Sequence, residues 1–103
     1  MFAVMVCMKI NIYGKVYKTG LRYFIKEKAS QLKISGQVFY QDDNSVGVIA
    51  MGEKLDMDEF IRFCRLGNKD SLVENLQVEI IPITDDASFN VVDGKEMIEC
   101  MNA

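Results

Sequence analysis

Histidine is absent from this chain of 103 residues. No histidine base is available for acid–base or nucleophilic work, and the usual protonation switch near neutral pH is missing with it. Cysteine is scarce, and Cys7, Cys64 and Cys100 are widely spaced with no Cys-x-x-Cys pair. Both absences argue against a zinc site, and the second argues against a heavy-metal carrier. The thiols are expected to be small buried or terminal groups in a reducing compartment, with no metal and no cofactor. A long apolar run is lacking too. The apolar start, Met1-Phe2-Ala3-Val4-Met5-Val6-Cys7-Met8, is far too short to span a bilayer. No positive residue precedes it and no small-residue cleavage site follows, so it does not read as a signal peptide. It is expected to lead into the first strand, and the expected location is the cytoplasm, away from membranes. Nor is there a basic excess: 12 Lys and Arg stand against 15 Asp and Glu, a net charge of −3. That balance argues against a nucleic-acid partner, which needs a basic face. Repeats, low-complexity segments and linkers are also missing.

What is present suits one domain with one core. Half of the residues are hydrophobic and 26% are charged, as in ordinary soluble proteins. Met8, Ile10 and Ile12 alternate with Lys9, Asn11 and Tyr13, which predicts a half-buried strand ending at Gly14. From Leu21 the period becomes helical, with Leu21, Ile25, Ala29 and Leu32 on one face and Phe24 and Lys28 beside it. Gly36 is expected to end that segment. A hairpin follows, with Val38 and Tyr40 on one face of its first strand and Val46, Val48 and Ala50 on one face of its second. Asp42-Asp43-Asn44-Ser45 forms its turn, and Gly52 stops the pair. Asp56 reads as an N-cap with Glu59 as the return half of a capping box. Met57, Phe60, Ile61 and Cys64 make the apolar stripe of that helix, and Gly67 stands at C′. Leu76, Val78 and Ile80 mark a fourth strand closed by Pro82, and Phe89 to Val92 a short last one. Phe24, Phe60, Phe63 and Phe89 are core candidates.

The order strand, helix, strand, strand, helix, strand predicts an α+β ferredoxin-like split βαβ sandwich. That is a βαββαβ chain plus a short last strand, in an antiparallel sheet with two helices on one face. The architecture hosts many functions, so function must come from a site.

One loop has the chemistry of an anion site. Gly14-Lys15-Val16-Tyr17-Lys18-Thr19-Gly20-Leu21-Arg22 leads from a strand into a helix. The first N–H groups of a helix lack internal partners and sit at the positive end of its dipole. The backbone N–H groups of Lys15, Val16, Tyr17, Lys18, Thr19 and Gly20 can wrap a phosphate ahead of them. Arg22, in the first helical turn, offers a charged fork matched to phosphate oxygens. The expected partner is a small anion, a phosphate ester or anhydride.

These residues resemble the acylphosphatase family. Its motif, Gly-x-Val-Gln-Gly-Val-x-Phe-Arg, aligns with Gly14 to Arg22 without a gap, and Tyr23-Phe24 continues the likeness. Gly36-Gln37-Val38-Phe39-Tyr40 stands where the family has Gly-Trp-Val-x-Asn, and Ser45-Val46 follows at the right distance. Asp58 to Arg62 and Val73 to Leu76 resemble the second helix and fourth strand. The likeness runs from Met8 to Val92, so residues 1–93 are expected to form an acylphosphatase-like domain and 94–103 a C-terminal tail.

The resemblance implies a metal-free mechanism. Loop amides and the arginine hold the phosphate of an acyl phosphate, and the asparagine places a water for attack on phosphorus. Arg22 matches the arginine. Tyr17 replaces the glutamine, and Lys18 replaces a glycine, which strains the loop if that position needs positive φ. Tyr40 replaces the asparagine. One phenol oxygen cannot donate and accept from two places as an amide does. Gln41 is expected on the other strand face, and Asn44 too far away in the turn.

The expectation is therefore a domain that binds phosphate or an acyl phosphate through Lys15, Val16, Tyr17, Lys18, Thr19, Gly20 and Arg22. Hydrolysis is expected to be weak or lost, with Tyr40 either a catalytic hydroxyl or a plain strand aromatic. The alternatives are an active acylphosphatase and a ligand-free ferredoxin-like interaction module. The default oligomeric state is a monomer.

Overall fold

Residues 4–82 and 89–91 are described in a computed structural model, the last three as backbone only. The elements are β1 (Met5–Lys15), α1 (Leu21–Gln31), β2 (Ser35–Tyr40), β3 (Val46–Glu53), α2 (Lys54–Leu66), β4 (Leu72–Ile81) and β5 (Phe89–Val91). They form one sheet in the order β4-β1-β3-β2-β5. The first four strands are antiparallel to their neighbours, whereas β5 runs parallel to β2 at the edge. This is the ferredoxin-like sandwich that the element order predicts.

Register explains the core. Ile10 pairs with Val48, Ile12 with Val46 and Val38 with Val48, so one face collects fully buried branched side chains. Leu21, Ile25 and Ala29 of α1 and Met57, Phe60 and Cys64 of α2 close over them. Each set follows the helical period read from the sequence. Phe60 is the largest of the six and has no exposed surface. Truncating it to alanine is expected to cost about 3–5 kcal/mol. Phe24 packs at the border of this core, whereas Phe63 is half-buried beneath the Lys28 ammonium, 4.6 Å from its ring centre. The side chain of Phe89 and the segment 94–103 lie outside the described residues.

Three boundaries differ from expectation. β1 does not end at Gly14: it shifts register between Tyr13 and Gly14 and pairs on to Lys15. Gly14 takes φ +133° there, and a Cβ would stand 2.2 Å from the Leu72 carbonyl oxygen, so glycine admits a close approach rather than a stop. Gly36 lies inside β2 for the same reason, and the exit from α1 is made by Lys33 at φ 58°. Asp56 does not cap α2. The helix begins three residues earlier than such a cap implies, at Lys54 after extended Glu53, and Lys54 N–H donates to the Val4 carbonyl at 2.8 Å. A backbone partner from β1's approach takes the place of a side-chain cap. Asp56 then lies in the first turn, where its charge favours the dipole. The β2–β3 pairing ends at Met51, where Gly52 is expected to stop it, although β3 itself runs on to Glu53 against β1.

Candidate functional site

The loop between β1 and α1 is held from below, from within and from behind. Val16 is fully buried and pegs the loop to the core. The Thr19 hydroxyl donates to the Val16 carbonyl at 3.0 Å and closes a short ring. From the far side, the Asn68 amide Nδ2 donates to the Thr19 carbonyl at 2.8 Å, across 49 residues of sequence. Lys18 and Gly20 both adopt the left-handed region, at φ 59° and 81°. Lysine there carries a backbone strain of order 1 kcal/mol, as residues with a Cβ do in that region. Left-handed residues set into a right-handed turn bring successive N–H groups toward one concavity.

The start of α1 is left open to an anion. Gly20 caps it without a side-chain hydrogen bond, and no acidic residue stands in its first turn. Among the described residues, the N–H groups of Thr19 and Gly20 have no acceptor. Arg22 lies one residue into the helix, with its guanidinium 4.1 Å from the Tyr40 ring centre and 5.7 Å from that of Tyr23. Arg22 is thus held over aromatic faces, an arrangement in which a planar cation keeps its donors at the edge.

Tyr40 is the unexpected centre of the site. It closes β2, points to the helix side of the sheet and is only 6% exposed. Its hydroxyl accepts the Lys18 N–H at 2.7 Å. Its ring lies 4.6 Å from the Tyr17 ring, inclined by 57°, a favourable tilted pair. Tyr40 is therefore neither a distant aromatic nor a free hydroxyl. It spans from the core to the loop and already occupies one loop amide.

The other sequence candidates divide. The Lys18 ammonium lies 5.3 Å over the Tyr17 ring, so its charge stays beside the loop. Lys15, at the end of β1, lines a cleft of about 320 Å³ with Tyr17, Thr19, Asp43 and Asn44. Asn44 thus comes nearer the loop than the sequence suggests, because the β2–β3 turn folds up beside it. Gln41 faces the opposite side of the sheet as expected, donating to Asn11 at 3.0 Å and to the Ser45 hydroxyl at 2.9 Å. Asn68 carries no site signal in the sequence: it follows the glycine that ends α2, and only a turn signal marks it. Among the described residues, no cluster of His, Cys, Asp or Glu is arranged to hold a metal. Cys7 and Cys64 are both buried. Burial pushes the Cys64 thiol up to about 12, away from nucleophilic use near neutrality. No helix among the described residues is long and apolar enough to cross a membrane.

Comparison with known proteins points the same way as the loop. The acylphosphatase family model matches residues 8–91. An acylphosphatase from Petrotoga mobilis is 36% identical over 87 residues, covering 84% of this chain and 98% of the relative. The structure of an acylphosphatase from Coxiella burnetii superposes with a TM-score of 0.82 at 25% identity, over 85% of this chain and 93% of that one. Full-length HypF in a phosphate- and nucleotide-bound form also superposes at 0.82 and 25% identity, over 92% of this chain and 13% of that much longer one.

Proposed function

Since the chain belongs to the acylphosphatase family, we propose that it is a phosphate-binding member whose hydrolytic activity is weak or lost. The loop amides and Arg22 hold phosphate or the phosphate end of an acyl phosphate. The observation that carries this reading is the 2.7 Å bond from Lys18 N–H to the Tyr40 hydroxyl. An amide at that position supplies a donor and an acceptor on separate atoms. Tyr40 supplies one oxygen, and one of its lone pairs is already taken by the loop. Its ring, in contact with the Arg22 guanidinium and the tilted Tyr17 ring, fills space beside the phosphate. The group that places the water is absent, and the loss is worth roughly a thousandfold in rate. Binding survives, because backbone donors and Arg22 remain. A single copy contains the loop, Arg22 and Tyr40, so the reading takes a monomer. It places the protein in the cytoplasm, in keeping with the buried thiol of Cys64.

A second reading is an active acylphosphatase. Its support is the name borne by the Petrotoga mobilis relative at 36% identity. In that case Tyr40 accepts from Lys18 and uses its own proton to orient the water or a phosphate oxygen.

One experiment separates the two. Hydrolysis of a small acyl phosphate is measured for the wild type, Arg22→Gln and Tyr40→Asn, beside a titration of the wild type with inorganic phosphate. The proposal expects saturable phosphate binding, little turnover, and a gain of turnover in Tyr40→Asn. Enzyme-like turnover by the wild type, abolished in Arg22→Gln, overturns it in favour of the second reading. Absence of phosphate binding overturns the proposal, and absence of turnover as well overturns both.

A further inference from the structure

We propose that Asn68 is a positioning residue for the anion site, aiming the Gly20 N–H by holding the carbonyl on the other side of the same peptide. This rests on the anion-binding reading of the loop. The link is geometric. In a trans peptide the C=O and N–H are fixed in one plane and point in opposite directions, and no described peptide bond is cis. Asn68 Nδ2 donates to the Thr19 carbonyl at 2.8 Å. The N–H of Gly20 belongs to that peptide, so it points away from Asn68. That N–H is one of the loop donors with no acceptor among the described residues.

Asn68 is itself held still. Its backbone N–H donates to the Ser71 hydroxyl at 3.1 Å, and that hydroxyl donates back to the Asn68 carbonyl at 3.2 Å. The Ser71 N–H reaches the same carbonyl. Gly67, at φ 75°, turns the chain out of α2 and delivers Asn68 to this position. The amide lies directly against the loop, since a Cβ added at Gly20 would stand 3.5 Å from Nδ2. The acceptor side of the amide makes nothing of its place. Asn68 Oδ1 is buried and has no hydrogen-bond partner among the described residues. Turning the amide over would put Oδ1 against the Thr19 carbonyl oxygen, so the carbonyl dictates the orientation and Nδ2 is the working atom. Left-handed Gly20 has no side chain to restrain it, and Asn68 supplies the restraint from outside.

The test is Asn68→Asp, which keeps the shape and removes the donor. Backbone order parameters are measured on the ligand-free proteins, and inorganic phosphate is then titrated with amide-resolved detection. The expected result is a fall at Gly20 from the rigid range near about 0.85 to below about 0.6. Phosphate binding is expected to weaken by about tenfold, with the phosphate-induced shift at Gly20 reduced more than that at Arg22. An unchanged Gly20 order parameter overturns the inference, as does a loss of shift spread evenly over all loop amides, which is what a merely structural role gives. Ser71→Ala, which loosens the same residue without touching the loop, is expected to show the same pattern more weakly. It carries the test should Asn68→Asp fail to fold. If the wild type takes up no phosphate, the anion-binding reading falls, while the ligand-free order parameters still decide what Asn68 does.

Discussion

The hydroxyl of Tyr40 accepts the backbone N–H of Lys18 at 2.7 Å, joining the end of β2 to a loop 22 residues earlier. The contact gives the site an internal occupant that competes for a donor. Replacing Tyr40 by phenylalanine removes the competitor and leaves the ring. Phosphate is then expected to bind severalfold more tightly, because one amide is released to it. Stability is expected to fall by about 1 kcal/mol, the typical worth of one such bond. Calorimetric titration with phosphate and urea denaturation check the two numbers. Weaker phosphate binding in Tyr40→Phe would mean that the hydroxyl donates to the anion instead.

Arg22 is the only cation in the first turn of α1. Arg22→Gln keeps a polar chain of similar length and removes the charge. Phosphate affinity is expected to drop at least tenfold, since a charge-assisted bond is worth about 1.5–3 kcal/mol. Folding stability is expected to change by less than about 1 kcal/mol, the size of the lost stacking on Tyr40. Equal losses of binding and stability would place Arg22 in the structural frame and not at the anion.

Two backbone positions differ in what they tolerate. Lys18 sits at φ 59° under a modest steric load. Lys18→Gly is expected to gain about 0.5 kcal/mol, the strain relieved less the extra freedom of glycine when unfolded. Lys18→Val is expected to lose about 1–2 kcal/mol, because a branched Cβ suits the left-handed region least. Gly36 admits no Cβ: one would stand 1.8 Å from the Ile49 carbonyl oxygen, at φ +139°. Gly36→Ala is expected to cost about 3 kcal/mol or more. Denaturant midpoints rank the three variants.

Cys64 links stability to alkaline pH. Burial raises its thiol from 9.0 to about 12. Above pH 9 the unfolded chain loses this proton and the folded chain keeps it, so the unfolded state binds fewer protons and stability falls as pH rises. The fall is expected at about 1.4 kcal/mol per pH unit between 9 and 12. Urea midpoints at pH 8 and pH 10 measure it. The slope assigned to Cys64 is the part missing from Cys64→Ala, which also costs stability at every pH through the small cavity it leaves. If the two proteins share one slope, the thiol is not its source.

Local chemistry made much of this protein legible. The alternation of Met8, Ile10 and Ile12 and the spacing of Leu21, Ile25 and Ala29 determined a strand and a helix, because each period reports which face is buried. Gly14 to Arg22 determined a glycine-bearing, basic approach to a helix start, and Asp42 to Ser45 determined a turn. Those signals sit within a few residues of one another, and so does the physics that produces them. Boundaries at Gly14, Gly36 and Asp56 are not legible locally, because a glycine can serve a close approach as well as a stop, and a cap can be supplied by a distant carbonyl. The parallel pairing of β5 with β2 has no local signature either.

The tertiary structure alone decided the state of the site. Whether Tyr40 faces the loop or merely packs depends on the register of β2 against β3 and on the reach of a phenol across the gap. Whether Asn68 matters depends on where α2 ends relative to a loop 49 residues earlier. Spacing in sequence reports neither, because a hydrogen bond is selective to a fraction of an ångström and the distance between remote residues is set only when the whole sheet and both helices have closed. Sequence by itself thus determined the fold, through the order and period of its elements, and the anion-site chemistry of one loop. Packing decided which amides remain open to that ligand and which are already taken.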